Sequence, residues 1–404
     1  MAAISSEVNT SSTATAAPTS KLLVVLTPLP PEALEATLGR LSLAFIGNNI
    51  TVSTPDLGTD AAKSLGQDFA NLDIVSDALA ASPSGSWLLT AGDFVNLYKS
   101  LQDHNAVACL LLGPEAQTLR VEAMRALASA ISNGGDLAVP RYATGPREGL
   151  VNSALLYPVS RAIFGGQPRF PLALDLGLSR RMVEKLATVA QRFTAASQGD
   201  ALIWPVAEAC SSGYSVIEVE AGARSLPQPA GGDLNAVLAQ VGASLFAMIE
   251  TNAAFWQRSR VGGGRQVTKS PIGSDDMPDV EPMIESFRVA YKNLQEIWSL
   301  VLPPNSLLAL KRLSQAPAEA FKMGDSLWAR IVYDFILAYR LRTINRGHLL
   351  GALTPLYLAW VASHFLLART GVDPEVHIEE MARTFESDKA YLVSRWRWPD
   401  RFNP

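Results

Sequence analysis

The segment from Leu150 to Glu220 constrains the fold of this chain more than any other. It opens as a helix-like run holding Asn152, Tyr157 and Arg161, turns at Gly165-Gly166, and enters a short apolar strand, PLALD, ending at Asp175. After a Ser/Gly break, a helix starting at Trp204-Pro205 carries Glu208, and a β-branched strand, SVIEVE, runs on to Gly222 and Arg224. Short apolar runs bounded by turn residues read as buried strands. Each of these delivers polar groups to its end, and in an α/β sheet the carboxyl ends of the strands form the ligand crevice.

The order N-x(4)-YP-x-x-RA-x-F-G, then P-x-x-x-D-x-G-x-S, an acidic helix and a strand ending in G-x-R resembles the GT-A glycosyltransferases related to mannosylglycerate synthase. Its carriers are Asn152, Tyr157, Pro158, Arg161, Ala162, Phe164, Gly165, Pro171, Asp175, Gly177 and Ser179, followed by Glu208, Gly222 and Arg224. The helix DLNAVLAQVGASLF and the C-terminal runs ALTPLYLAW and FESDKAYLVSRW extend the resemblance roughly from Asp136 to Trp396. It implies an α/β nucleotide-sugar domain of GT-A (Rossmann-like) type followed by an all-α C-terminal domain. It also implies retaining transfer of a hexose from a nucleoside diphosphate to a glycerate-like or similar small acceptor.

The rest of the chain is consistent with that plan. Residues 1–20 are rich in Ser, Thr and Ala and read as a mobile tail without an apolar signal core. From Lys21 the runs KLLVVLTP, PPEALEATLGRLSLAF and NNITVSTPD predict strand, helix and strand, with prolines at the helix entry. AVACLLLGPEAQTL predicts a further buried strand with a polar exit. The α/β domain is expected over 21–257, a Gly- and Pro-rich loop or lid over 258–282, and helices over 283–404. At 404 residues and 48% hydrophobic the chain can bury a large core. Its net charge of -4 gives no general attraction to nucleic acid. Cys109 and Cys210 read as reduced, packed thiols, which suits a cytoplasmic protein.

By the resemblance, the donor would sit over the ends of the first and fourth strands, near Thr27, Asp56 and Glu115. GT-A enzymes usually place Asp-x-Asp at the fourth strand end, where two carboxylates hold a divalent cation against the nucleotide diphosphate. Here that place reads Gly113-Pro114-Glu115, so Glu115 alone would give a ligand to Mg²⁺ or Mn²⁺. The histidine that the family commonly puts after the G-x-R strand is missing from GARSLPQP. Two alternatives follow: transfer without a metal, with Arg and Lys as counter-charge, or a degenerate scaffold that binds or regulates.

Glu208 is the candidate for stabilising an oxocarbenium-like transition state, against the alternative of a partly exposed helix carboxylate. Asp175 is the second catalytic candidate, either touching sugar hydroxyls or ion-paired with Arg161 or Arg180. The acceptor would draw on Asn152, Tyr157, Arg161 and Ser179, with Arg141 and Arg224 suited to phosphate or carboxylate. Tyr157 and Arg161, four apart on one helix face, serve equally to line a pocket or to lock a helix onto the sheet.

The uncharged run Leu349–Ala368 is long enough to span a bilayer, but its Pro355, Ser363 and His364 and its amphipathic neighbours predict a buried central helix and no membrane span. Trp328, Trp360, Trp396 and Trp398 are expected as packing anchors, and the apolar C-terminal helices allow a homo-oligomer.

Overall fold

The computed structural model describes residues 22–55, 59–77, 86–145, 147–227, 233–259 and 278–399. The first half alternates strand and helix: β1 (Leu22–Leu26), α1 (Pro31–Ala44), β2 (Ile50–Pro55), α2 (Thr59–Asp68), β3 (Leu72–Asp77), α3 (Ala91–Asp103) and β4 (Ala108–Leu112). Next come α4 (Val121–Ser132), β5 (Leu137–Ala143), α5 (Tyr157–Phe164), β6 (Asp175–Ser179), α6 (Arg180–Ala195), α7 (Pro205–Ser212), β7 (Val216–Ala223), α8 (Leu234–Thr251) and the short α9 (Ala253–Trp256). The remainder is helical: α10 (Glu281–Ser299), α11 (Pro304–Gln315), α12 (Asp325–Leu341), α13 (Arg346–Arg369) and α14 (Pro374–Arg397). The expected α/β unit followed by a helical region is therefore observed.

Local chemistry explains the helix starts. Pro31 and Pro205 occupy first helical positions, where a missing N–H costs nothing. At α3 the Thr90 amide donates to Asp93 Oδ2 at 2.7 Å while the Thr90 side chain serves the first turn, a reciprocal capping box.

The described strands form one sheet in the order β3-β2-β1-β4-β6-β5-β7. All pairings are parallel except those of β6, which runs antiparallel to both β4 and β5. From β1 the chain steps outward through β2 to β3, then returns to place β4 on the other side of β1. That reversal is a topological switch point, where the connections on the two sides diverge and leave a crevice. Helix α1 packs with α4 and α3 with α6, and every residue of β4 is buried, as a central strand covered on both faces requires.

One expected strand is shifted. PLALD is not extended in the sheet, and β6 begins at Asp175 instead of ending there. The amide of Leu174 donates to the Tyr142 hydroxyl at 3.3 Å, as does that of Asp175 at the first position of β6. Because β6 is antiparallel, its first residue lies at the carboxyl edge of its neighbours, with Asp175 opposite Leu112.

Two apolar cores flank the sheet. One joins the strands to α1, α3, α4 and α6, and the other runs from α5 and α8 through α10–α14. Helices α8 and α13 are long and apolar enough to cross a membrane by length and composition, and 78% of the apolar window of α13 is buried inside the protein. A helix apolar all round belongs in a core when its neighbours cover it. Trp328, Trp360 and Trp396 are buried as expected, whereas Trp398 is 60% exposed past the end of α14. The expected lid lies largely outside the described residues, as does Asp56. Cys109 and Cys210 are free thiols on different elements, and burial pushes them up to about 12 and about 11.

Candidate functional site

Two cavities open along the carboxyl edge of the sheet. The first, of about 240 Å³, lies at the switch point and is lined by Thr27 and Pro28 after β1, by Pro114, Glu115 and Gln117 after β4, and by Asp93 of α3. The second, of about 280 Å³, lies over β5 and β6 and is walled by α8 and the segment around the α5 entry. Trp87, Leu88 and Pro227 line both.

The turn after β4 is held unusually. Gly113 passes so close to the loop leading into β6 that a Cβ there would meet the Leu174 carbonyl oxygen at 2.7 Å, so only glycine fits. Glu115 has a φ of +62°, the left-handed region that costs a non-glycine residue roughly 1–2 kcal/mol. Its Oε2 accepts from Gln117 Nε2 at 2.7 Å, and its carbonyl accepts from Thr118 Oγ1 at 2.8 Å. Backbone strain of this kind persists where the surroundings over-determine it, often beside a ligand. Thr27 Oγ1 is buried and has no hydrogen-bond partner among the described residues.

Beneath this turn, Asp175 is fully buried and fully engaged. Arg224 contacts it at 2.6 Å through Nε and donates from Nη2 to Oδ1 at 3.0 Å. The Tyr142 hydroxyl donates to Oδ2 at 2.8 Å, and the Gly113 amide to Oδ1 at 3.4 Å. Arg224 Nη2 also donates to the Pro114 carbonyl at 2.8 Å. Burial, then the charge of Asp175, push the Tyr142 phenol well above its usual value, so it stays a donor. The expected partner of Asp175 was Arg161 or Arg180; the observed one is Arg224. Together these groups tie the ends of β4, β5, β6 and β7 under the crevice floor, and neither Asp175 nor Arg224 lines either cavity.

The other expected residues separate. Asn152 lines the larger cavity, its Nδ2 donating to the Arg169 carbonyl at 2.9 Å. Tyr157 and Arg161 are 1% exposed and face α14: Arg161 donates to Glu379 at 2.6 Å and to Glu386 at 2.8 and 3.1 Å, and the Tyr157 hydroxyl to Glu379 at 2.8 Å. The pair lines neither cavity, and what it locks α5 onto is helix α14 and not the sheet. Arg141 pairs with Glu220 at 3.3 Å and Glu375 at 3.5 Å. Glu208 pairs with Lys185 at 3.2 Å, joining α7 to α6, and lines neither cavity. Ser179 caps α6 at the opposite edge of the sheet, about 13 Å from Asp175 at roughly 3.3 Å per residue.

Several lining residues carry no sequence motif. Trp87 follows a Ser/Gly-rich break at the head of SWLLTAGDFVNLYKSL, a run that reads as a helix after a turn, and nothing in that run marks it as a lining residue. Tyr142, next to Arg141 at a strand end, had a weaker one. Arg169 donates to Glu375 at 3.1 and 3.2 Å, extending the row of arginines that meets the carboxylates of α14. Those carboxylates, Glu375, Glu379 and Glu386, share one helix face, a spacing legible in the sequence.

The residues at the β4 exit do not fit a divalent cation. Glu115 is the one carboxylate of that turn, Asp175 is consumed by Arg224, and no group of three or more His, Cys, Asp or Glu able to hold a metal occurs among the described residues. His364 and His377, 13 residues apart in the chain, meet with Nδ1 atoms 2.7 Å apart, and His377 Nε2 lies 3.1 Å from Asp325.

No family model and no curated relative matches the sequence. Among solved structures the chain is similar to glucosyl-3-phosphoglycerate synthase from Mycobacterium tuberculosis in complex with phosphoglyceric acid, at 14% identity over 57% of this chain and 80% of that one, with a TM-score of 0.36. The same enzyme in complex with Mn²⁺, UDP-glucose and phosphoglyceric acid aligns at 12% identity, 63% and 85% coverage, and a TM-score of 0.38. A structure described as a mycobacterial protein aligns at 16% identity, 63% and 80% coverage, and a TM-score of 0.37.

Proposed function

We propose that this chain is a nucleotide-sugar-dependent hexosyltransferase that binds its donor in the switch-point cavity and a small hydroxylated acceptor in the cavity beside it. The observation that carries the reading is the pair of cavities sharing Trp87, Leu88 and Pro227 over the carboxyl ends of β1, β4 and β5 and the start of β6. Open α/β sheets bind nucleotides at that place. The partnerless Thr27 hydroxyl and the strained Glu115 both belong to the donor side, and a bound ligand would satisfy the first and explain the second. The motif order from Asn152 to Arg224 supports the same reading.

In the transfer, the acceptor oxygen bonds to the anomeric carbon as the bond from that carbon to the diphosphate oxygen breaks. The electron pair leaves with the diphosphate, and the acceptor proton passes to it. Thr27 and Glu115 contact the donor, and Asn152 the acceptor. Asp175 and Arg224 position the floor without lining either cavity, and Tyr142 joins them to the wall of the acceptor cavity. No step is assigned to a metal ion.

One observation favours a second reading. No Lys or Arg lines the switch-point cavity among the described residues, while Asp93 and Glu115 both do, and a diphosphate needs counter-charge. On that ground the chain is a scaffold that has lost transfer chemistry and binds a small molecule. Thermal unfolding of the purified protein against UDP-, GDP-, ADP- and TDP-sugars, each with EDTA, Mg²⁺ or Mn²⁺, separates the two. A shift with one nucleotide sugar, growing with its concentration, is the transferase result; no shift with any of them leaves the scaffold.

A further inference from the structure

The larger cavity is built from side chains that offer little to a polar acceptor. Leu88, Leu150, Leu172, Leu174, Leu226 and Val241 are among the apolar side chains that line it, and no carboxylate lines it among the described residues. Two of its polar side chains, Tyr142 and Asn152, are engaged by neighbouring residues. The Tyr142 hydroxyl donates to Asp175 and accepts from two backbone amides. Asn152 Nδ2 donates to the Arg169 carbonyl, and Arg147 sits at an exposed position. A glycerate-like acid would bring several oxygens against leucine, and each buried polar group left without a partner costs roughly tenfold in affinity or more. An apolar body loses nothing there and gains from leaving water.

We infer that this cavity takes an aliphatic or aromatic alcohol with an apolar body, rather than a small hydroxy acid. At about 30 Å³ for a water-sized group, the volume of about 280 Å³ admits on the order of ten non-hydrogen atoms. The assignment of this alcohol as the acceptor rests on the transferase reading; the binding itself does not. A hydroxyl directed at the wall formed by Trp87, Leu88 and Pro227 lies against the donor cavity.

The test is equilibrium binding of 1-naphthol, followed by its fluorescence, to the full chain and to two variants, with D-glycerate as competitor. Val237→Trp fills the cavity from a half-buried position on α8, and Leu234→Gln makes its wall polar without filling it, so that one informative variant remains if the other does not fold. The expected result is saturable one-site binding, weakened at least tenfold by each folded variant and not displaced by equimolar glycerate. Binding that is absent in the parent chain, that is unchanged by the variants, or that glycerate displaces overturns the inference. Naphthol binding as expected with no response to any nucleotide sugar leaves the cavity assignment standing and removes the transferase reading. A nucleotide-sugar response without naphthol binding does the reverse.

Discussion

Asp175→Asn is the substitution that best separates a structural from a chemical role for the most suggestive carboxylate in the sequence. In the folded chain its two oxygens receive Arg224, the Tyr142 hydroxyl and the Gly113 amide, and the side chains of Asp175 and Arg224 are fully buried. The asparagine keeps the shape but removes the charge, leaving a guanidinium in a site that water does not reach. Breaking a buried pair by removing one partner costs about 3–5 kcal/mol, because the other charge stays behind uncompensated. Against a total stability on the order of 5–15 kcal/mol, that is a loss of about a fifth or more. Chemical denaturation followed by tryptophan fluorescence reads it as a lower midpoint at unchanged slope. The double substitution Asp175→Asn with Arg224→Met removes the stranded charge, so it should be less destabilised than the sum of the singles by 1 kcal/mol or more. A stability loss under about 1 kcal/mol, or strict additivity in the cycle, refutes the role assigned here. An Asp175→Asn protein of parental stability that loses nucleotide-sugar turnover would place the residue in the chemistry instead.

Two further outcomes follow from buried charge elsewhere. Arg161→Met leaves Glu379 and Glu386 facing the space of a guanidinium and should cost about 3–5 kcal/mol, whereas Glu208→Gln, at a partly exposed pair with Lys185, should cost under about 1 kcal/mol; denaturation midpoints in the reverse order would refute the lock between α5 and α14. Burial, then the proximity of His377 and Arg169, bring His364 down to about 3, with Glu375 opposing. The unfolded chain therefore takes up a proton that the folded chain refuses, and this stability is present above about pH 6.5 and is lost as pH falls toward 3. Relative to His364→Gln, the parent should lose roughly 1 kcal/mol per pH unit between pH 6 and 4, read by denaturation at three pH values; parallel pH profiles would show that the imidazole is not held neutral. Asp334, pushed up to about 7 by burial, titrates alike in both proteins and cancels from the difference.

How much of this was legible in the sequence depended on the range of the interaction. β1, α1, β2, β4 and β7 appear where apolar runs and prolines placed them, because those signals act within a few residues. The strand around Asp175 was misplaced by its own length. PLAL and LGL are equally apolar, and what chooses between them is the Tyr142 hydroxyl, 33 residues away in the chain, which binds the amides of Leu174 and Asp175.

The candidate site was legible only in outline. Thr27 and Glu115 line the switch-point cavity because the parallel strands β1 and β4 end on one edge of the sheet, and the sequence alone determined that α/β alternation, the helical second half and the Gly-Pro-Glu exit of β4; Asn152 reaches the other cavity from the helical segment that enters α5. Which polar residues face the crevice was decided by tertiary structure. Burying a charge demands a partner, and the partners of Asp175, Arg161 and Arg141 come from β7 and from α14, more than two hundred residues on in the case of Arg161 and Glu379. A residue that has found such a partner is withdrawn from the ligand, and no local pattern records the pairing.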